Sequence, residues 1–171
     1  EYLNGHTLND VIKKKICLTF WEKIEVIKEA ALALHYAHQN NIIHRNIKPA
    51  NIMLIERDGD PNFVKLLDFG LAKMEFQTKL TQSGNFVGTI EYVSPEHLLD
   101  ADSSPANDIF SLGVTFYKML SGQSPFPGET VIDIMRKVIK EEPLQVTTFR
   151  TDIPGELDNL IMKMLSKKPG Q

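Results

Sequence analysis

The chain has 171 residues, 42% apolar and 24% charged, enough for one domain with a real hydrophobic core and outside the disordered and fibrous classes. Its formal charge of −3, from 19 basic and 22 acidic residues, gives no electrostatic footprint for nucleic acid or an anionic membrane. The one cysteine, Cys17, excludes an internal disulfide, fits a reducing compartment and reads by residue type as a small buried hydrophobe.

In chain order, "EYLNGHTLNDVI" reads as a short extended piece ending in a turn at Asn4-Gly5, a dipeptide suited to positive φ. Thr19 with Glu22 three residues on forms a capping box, and Phe20, Ile24, Ile27, Ala31 and Leu34 then recur at helical spacing, predicting a helix to about Gln39. "NNIIHRNIKPAN" breaks that period as an ordered loop. Ile52 to Ile55 and Phe63 to Leu67 read as two strands joined at Asp58-Gly59, a hairpin. From Asp68 to Glu96 periodicity fades over a segment too long for an idle connection. "DIFSLGVTFYKML", Asp108 to Leu120, is apolar nearly all round and predicts a helix enclosed by protein at the centre of the domain. Thr130 with Asp133 caps a further helix through Ile139, and Glu156 to Leu165 forms the last. No run of about 18 apolar residues and no leader segment occurs, so the segment reads as soluble and cytoplasmic, with any membrane anchor left to a parent chain. A start at Glu1 and an end at "KKPGQ", inside a turn, read as two cut ends.

The chemistry-bearing residues occur in fixed order: "HRNIKPAN" at His44 to Asn51 before the hairpin, "DFG" at Asp68 to Gly70 after it, "GTIEYVSPE" at Gly88 to Glu96, and "DIFSLG" at Asp108 to Gly113. Each alone is weak, since Asp-Phe-Gly makes an ordinary turn and Asn51 could merely satisfy a backbone group. Together they resemble the second half of the eukaryotic-like protein kinase family, over the whole chain, and the wording of "SLGVTFYKMLSGQSPFPG" resembles bacterial serine/threonine kinases. Two other readings are weaker. His35 and His38 stand three apart on one helix but lack an acidic or cysteine partner at ligand spacing, and "DGD" at residues 58 to 60 lacks the downstream ligands of a calcium loop.

The resemblance implies a mainly α fold with a short β-hairpin, the C-terminal (large) lobe of a kinase with its N-terminal lobe missing, residues 1–171 being hinge and large lobe with an activation segment at 68–96. It implies ATP and Mg²⁺ as cofactors in the intact parent and a protein substrate with a serine or threonine acceptor. Asn51 and Asp68 would be the metal ligands, hard oxygen donors at the two ends of one hairpin, and Lys48 would sit against the transferred phosphate. Lys48 and Thr89 would flank the acceptor hydroxyl. Glu1, Leu3 and Met53 match the positions that contact adenine. His44 and Phe69 would align the loop by packing, Asp108 would hold its backbone by hydrogen bonds, and Gly70 and Glu96 complete their motifs. Arg45 could pair with a phosphate placed on Thr78, Thr81 or Ser83.

Departures from the family pattern are equally definite. Asn46 stands where the family has its catalytic aspartate, and an amide cannot accept the substrate proton. No glycine-rich loop and no "VAIK"-like lysine occur, Lys168 replaces the usual aspartate before Pro169, and the arginine expected to pair with Glu96 would follow Gln171. The leading expectation is therefore a serine/threonine kinase fragment, inactive alone and weak in Mg²⁺-ATP binding, lacking the small lobe as its partner. The alternatives are a pseudokinase that binds nucleotide or acts as a scaffold, and a structural relic. Loss of the small lobe should bare apolar surface near Leu3, Met53 and Leu66.

Overall fold

The computed structural model describes residues 4–14, 16–69, 87–99 and 102–170. Its first strand, β1 (Gly5–Thr7), leads directly into α1 (Leu8–Lys14), whose start is tied by Thr7 and Asp10 exchanging backbone and side-chain hydrogen bonds. The expected turn at Asn4-Gly5 is thus a strand start. Gly5 is required there by close approach, since a Cβ would lie 2.2 Å from the Leu54 carbonyl oxygen across the ladder. A three-residue strand carries too little alternation to be read from sequence.

The long helix α2 (Phe20–Gln39) begins at the Thr19–Glu22 capping box, with both reciprocal bonds formed, and buries Val26, Ile27, Ala30, Leu34 and Ala37 along one face. Strands β2 (Ile52–Arg57) and β3 (Asp60–Leu66) form the expected hairpin, two residues longer and three residues earlier than their apolar cores. The turn between them has positive φ at both Asp58 (53°) and Gly59 (87°), the type I′ pattern. The hairpin is not alone: β1 pairs with β2 antiparallel, Gly5 opposite Ile55 and Thr7 opposite Met53, so the sheet order is β1-β2-β3. The described end of the 68–96 segment carries two short helices, α3 (Val87–Ile90) and α4 (Pro95–Leu98).

At the centre lies α5 (Pro105–Ser121), which starts three residues before its apolar run because Ser104, Pro105 and Asn107 supply an N-cap, an N1 proline and a capping-box partner. Twelve of its residues are buried, as its all-round apolarity predicts. Gly113 lets α5 and the last helix, α7 (Gly155–Met164), approach so closely that a Cβ would come within 2.8 Å of Met164 Cβ. Helix α6 (Val131–Lys140), capped by the Thr130 side chain accepting from the Asp133 amide, sits amphipathically at the surface with Ile134 and Val138 inward. Among the described residues no helix is long and apolar enough to cross a membrane.

Two burial expectations fail. Cys17 is exposed, because it lies in the connector after α1, where neighbouring Ile16 is exposed too and no element among the described residues covers either. Leu66 is buried and Met53 half-buried, since the sheet turns Leu66 into the same core as Ile52, its cross-strand partner. The exposed apolar side chains in this half of the chain are instead Ile12, Ile16 and Phe69, among others, and Leu3 lies outside the described residues.

One buried cation works against the fold. Lys167 Nζ is sealed from solvent with no hydrogen-bond acceptor among the described residues, 3.9 Å above the Phe126 ring. Burial pushes its pKa down to about 8 from the ordinary 10.5, against weaker attraction from Glu142 and Glu141. Below about pH 8 the penalty of holding the charge is fully present. As pH rises from there towards 10.5 the folded form has already released its proton while the unfolded chain still binds it, so stability rises. Lys167→Met should stabilise the protein at pH 7 by about 1 kcal/mol, after allowing for solvent screening of the part-exposed side chain and loss of the ring contact. Urea melts of both forms from pH 7 to 10.5 should show that difference shrinking as pH rises.

Candidate active site

Asp108, in the first turn of α5, is fully buried, and its carboxylate is shared three ways. Oδ1 accepts from the Arg45 amide at 2.8 Å, Oδ2 from the His44 amide at 2.8 Å, and His38 Nε2 of α2 lies 2.8 Å from Oδ2. This matters because Arg45 has φ of +67°, a left-handed conformation that costs a non-glycine residue about 1 kcal/mol or more and needs outside support. Two backbone donors on one buried carboxylate supply it.

Beyond Arg45 the loop closes on itself. The Asn51 side chain donates Nδ2 to the Asn46 carbonyl oxygen at 2.8 Å, and the Asn51 carbonyl accepts the Leu67 amide at 2.9 Å. One residue therefore holds Asn46 on one side and the residue before Asp68 on the other. Asp68 has φ of +60° and is exposed, so its carboxylate is presented rather than packed. With Nδ2 committed to Asn46, Oδ1 is the Asn51 atom left for a metal. Asn51 Oδ1 and the Asp68 carboxylate are both hard oxygens, a donor set that suits Mg²⁺.

His44 is fully buried with its ring centroid 4.4 Å from that of Phe69, itself 41% exposed, and its Nδ1 accepts from the Asn46 amide at 3.3 Å. Burial holds the imidazole below its ordinary pKa despite the opposing charge of Asp108, which keeps it neutral and able to accept. The Asn46 backbone is thus fixed at N–H and C=O, while its half-buried side chain makes no hydrogen bond among the described residues. Lys48 is half-buried in an extended conformation just before Pro49. Glu1, Leu3, Gly70, Thr78, Thr81 and Ser83 lie outside the described residues.

A second cluster gathers on α5 around the segment that follows Thr89. Asn107 Nδ2 donates to Ser94 Oγ at 2.5 Å and to Glu96 Oε1 at 2.8 Å, and Ser111 Oγ donates to the Tyr92 carbonyl at 2.6 Å. Further along, Lys118 Nζ meets Glu91 Oε1 at 2.6 Å. His38, Glu91, Asn107, Ser111 and Lys118 were not among the sequence-predicted site residues. Asn107 and Ser111 did carry a signal, polar side chains one turn apart on an apolar helix, which burial obliges to find partners. Of the two histidines considered for a metal, His35 is exposed and His38 turns onto Asp108.

A buried aspartate that pins a left-handed loop, an asparagine that ties the loop to a presented aspartate, and a threonine-bearing turn on the same helix agree with what the family comparison finds. The model of the protein kinase domain matches residues 1–171, and the chain belongs to that family. Within it, the chain is of the bacterial-type, eukaryotic-like serine/threonine kinases. It is 35% identical over 171 residues to serine/threonine-protein kinase PknB of Mycobacterium tuberculosis, covering 99% of this chain and 27% of PknB. To PknB of Mycobacterium leprae it is 35% identical over 170 residues, again 99% of this chain and 27% of the relative. To PknA of Mycobacterium tuberculosis it is 38% identical over 169 residues, 99% of this chain and 38% of PknA. The chain therefore spans well under half the length of these curated relatives.

Proposed function

We propose that this chain is the hinge and C-terminal lobe of a serine/threonine protein kinase, with an activation segment at 68–96, acting in the cytoplasm as part of a longer protein that transfers the ATP γ-phosphoryl group to serine or threonine. The observation that carries the reading is the Asn51 link, which brings Asn46 and the Asp68 end of the hairpin to one place. Mg²⁺, when bound, would supply positive charge to offset the negative charge of the transferred phosphoryl group. Asn51 Oδ1 and the Asp68 carboxylate would hold it. Lys48 would offer its ammonium to the moving phosphate, and Thr89 would flank the acceptor hydroxyl. Met53, with Glu1 and Leu3, would meet the adenine, and Glu96 would keep the end of the activation segment on α5.

Asn46 changes what the loop can do. Its side-chain oxygen can accept a hydrogen bond from the acceptor hydroxyl and orient it, but an amide does not take the proton. The reaction then rests on positioning and electrostatics alone. The same amide favours a second reading, a pseudokinase that binds nucleotide or a protein partner without transfer.

Calorimetry separates them from the relic. The full-length protein should bind Mg²⁺-ATP, and Asp68→Ala should abolish the Mg²⁺-dependent part. This chain alone should bind weakly, because a surface covering one side of a nucleotide forgoes burial and the phosphate clamp. Low-micromolar affinity for this chain alone, or full-length binding indifferent to Asp68, contradicts the reading.

A further inference from the structure

The turn that carries Thr89 is held by an ion pair that the loop chemistry does not use. Helix α3 is only four residues long, so no extended hydrogen-bond ladder fixes Thr89. Its turn closes locally, the Tyr92 amide donating to the Thr89 carbonyl at 3.2 Å and the Val93 amide to that of Ile90 at 3.1 Å. Between them projects Glu91, a carboxylate whose side chain is only 10% exposed. Both its oxygens are taken: Oε1 by Lys118 Nζ at 2.6 Å and Oε2 by Ser124 Oγ at 2.6 Å. The same ammonium lies 5.2 Å over the Tyr92 ring. Burial alone would lower the Lys118 pKa, yet Tyr92 and Glu91 outweigh it and hold the amine above its ordinary value, firmly charged.

We propose that Lys118 is a positioning residue for Thr89: acting through Glu91, it clamps to α5 the turn that would face the acceptor hydroxyl of the substrate. The role of Thr89 rests on the kinase reading, whereas the clamp rests on the contacts alone. Without the ammonium, Glu91 keeps neutral partners, the Ser124 hydroxyl and the Tyr92 side chain, and a partly buried carboxylate without its cation either protonates or swings to water, drawing the turn with it. Asp108 sits ten residues earlier on the same helix, about 15 Å along its axis, so the His44–Arg45 loop should not feel the change.

The test uses the full-length protein in an Asn46→Asp background, comparing Lys118 with Lys118→Met and Lys118→Arg. Hydrogen exchange should accelerate at least about tenfold at the Tyr92 and Val93 amides of Lys118→Met while the His44 and Arg45 amides keep their protection, the pattern of local opening. KM for a serine or threonine peptide should rise about tenfold with KM for ATP unchanged, a change confined to substrate placement. Lys118→Arg, which keeps the cation, should restore both. Unmoved Tyr92 and Val93 amides, or equal acceleration at His44 and Arg45, overturns the clamp. A shifted exchange pattern with an unchanged peptide KM overturns the positioning role. Exchange that responds as expected in a protein that phosphorylates no peptide supports the clamp and overturns the kinase reading.

Discussion

Asn46→Asp in the full-length protein should raise kcat on a serine or threonine peptide by about 10² or more, the low end for restoring a general base. That is about 2.7 kcal/mol of barrier at 1.36 per decade. The geometry favours a clean gain. Asn46 is held through its backbone, N–H to His44 Nδ1 and C=O from Asn51 Nδ2, so exchanging an amide nitrogen for an oxygen leaves both anchors in place. The carboxylate is nearly isosteric with the amide and enters a half-buried position beside a loop already ordered by Asp108. KM for ATP should stay near its starting value, because the groups assigned to the nucleotide are untouched. Single-turnover rates for both forms decide it. An unchanged rate, with nucleotide bound equally by both, moves the conclusion to the pseudokinase reading.

What the sequence disclosed and what it withheld follow from the range of the interactions involved. The Thr19 cap, the Asp58-Gly59 turn and the enclosed helix through Leu120 are set by residues within four or five of one another or by continuous apolarity, and each appears where the pattern places it. β1 depends on pairing with β2 some fifty residues away, and the sequence near Asn4-Gly5 says only that the chain can turn. Cys17 shows the limit of residue-type preference, since its exposed place in a local connector defeats the average. In the site, motif residues such as His44, Asn51 and Asp108 could be named because their order along the chain is distinctive. Their working partners could not. His38 reaches Asp108 across 70 residues and Lys118 reaches Glu91 across 27, and nothing in either local sequence specifies the other end.

That asymmetry makes Asp108 the residue whose loss should cost most in stability. Asp108→Ala removes the acceptor for the His44 and Arg45 amides and the partner of His38 together. With His44 fully buried, water cannot replace the lost bond at that end, and each orphaned buried donor costs about 1 to 3 kcal/mol. Arg45 also loses one of the bonds that hold its left-handed φ, so the loop has a reason to relax out of the conformation that brings Asn46 to Asn51. The expected loss is about 3 to 5 kcal/mol, as for removing one member of a buried charged network, and a domain of ordinary stability would be left close to unfolding. Asp108→Asn keeps the variant measurable. Its oxygen can accept from one amide, but its NH₂ group then faces the other donor, so an intermediate loss should appear. Urea unfolding of the three forms should show midpoints falling in the order Asp, Asn, Ala with little change in slope. By contrast, Asn46→Asp should barely move the midpoint, because Asn46 contributes backbone contacts that the substitution keeps. A loss below about 1 kcal/mol for Asp108→Ala, the size of a single ordinary hydrogen bond, would mean that the loop does not depend on that carboxylate. Its order would then have to come from Ile47 and Pro49, the buried residues that pack it from below.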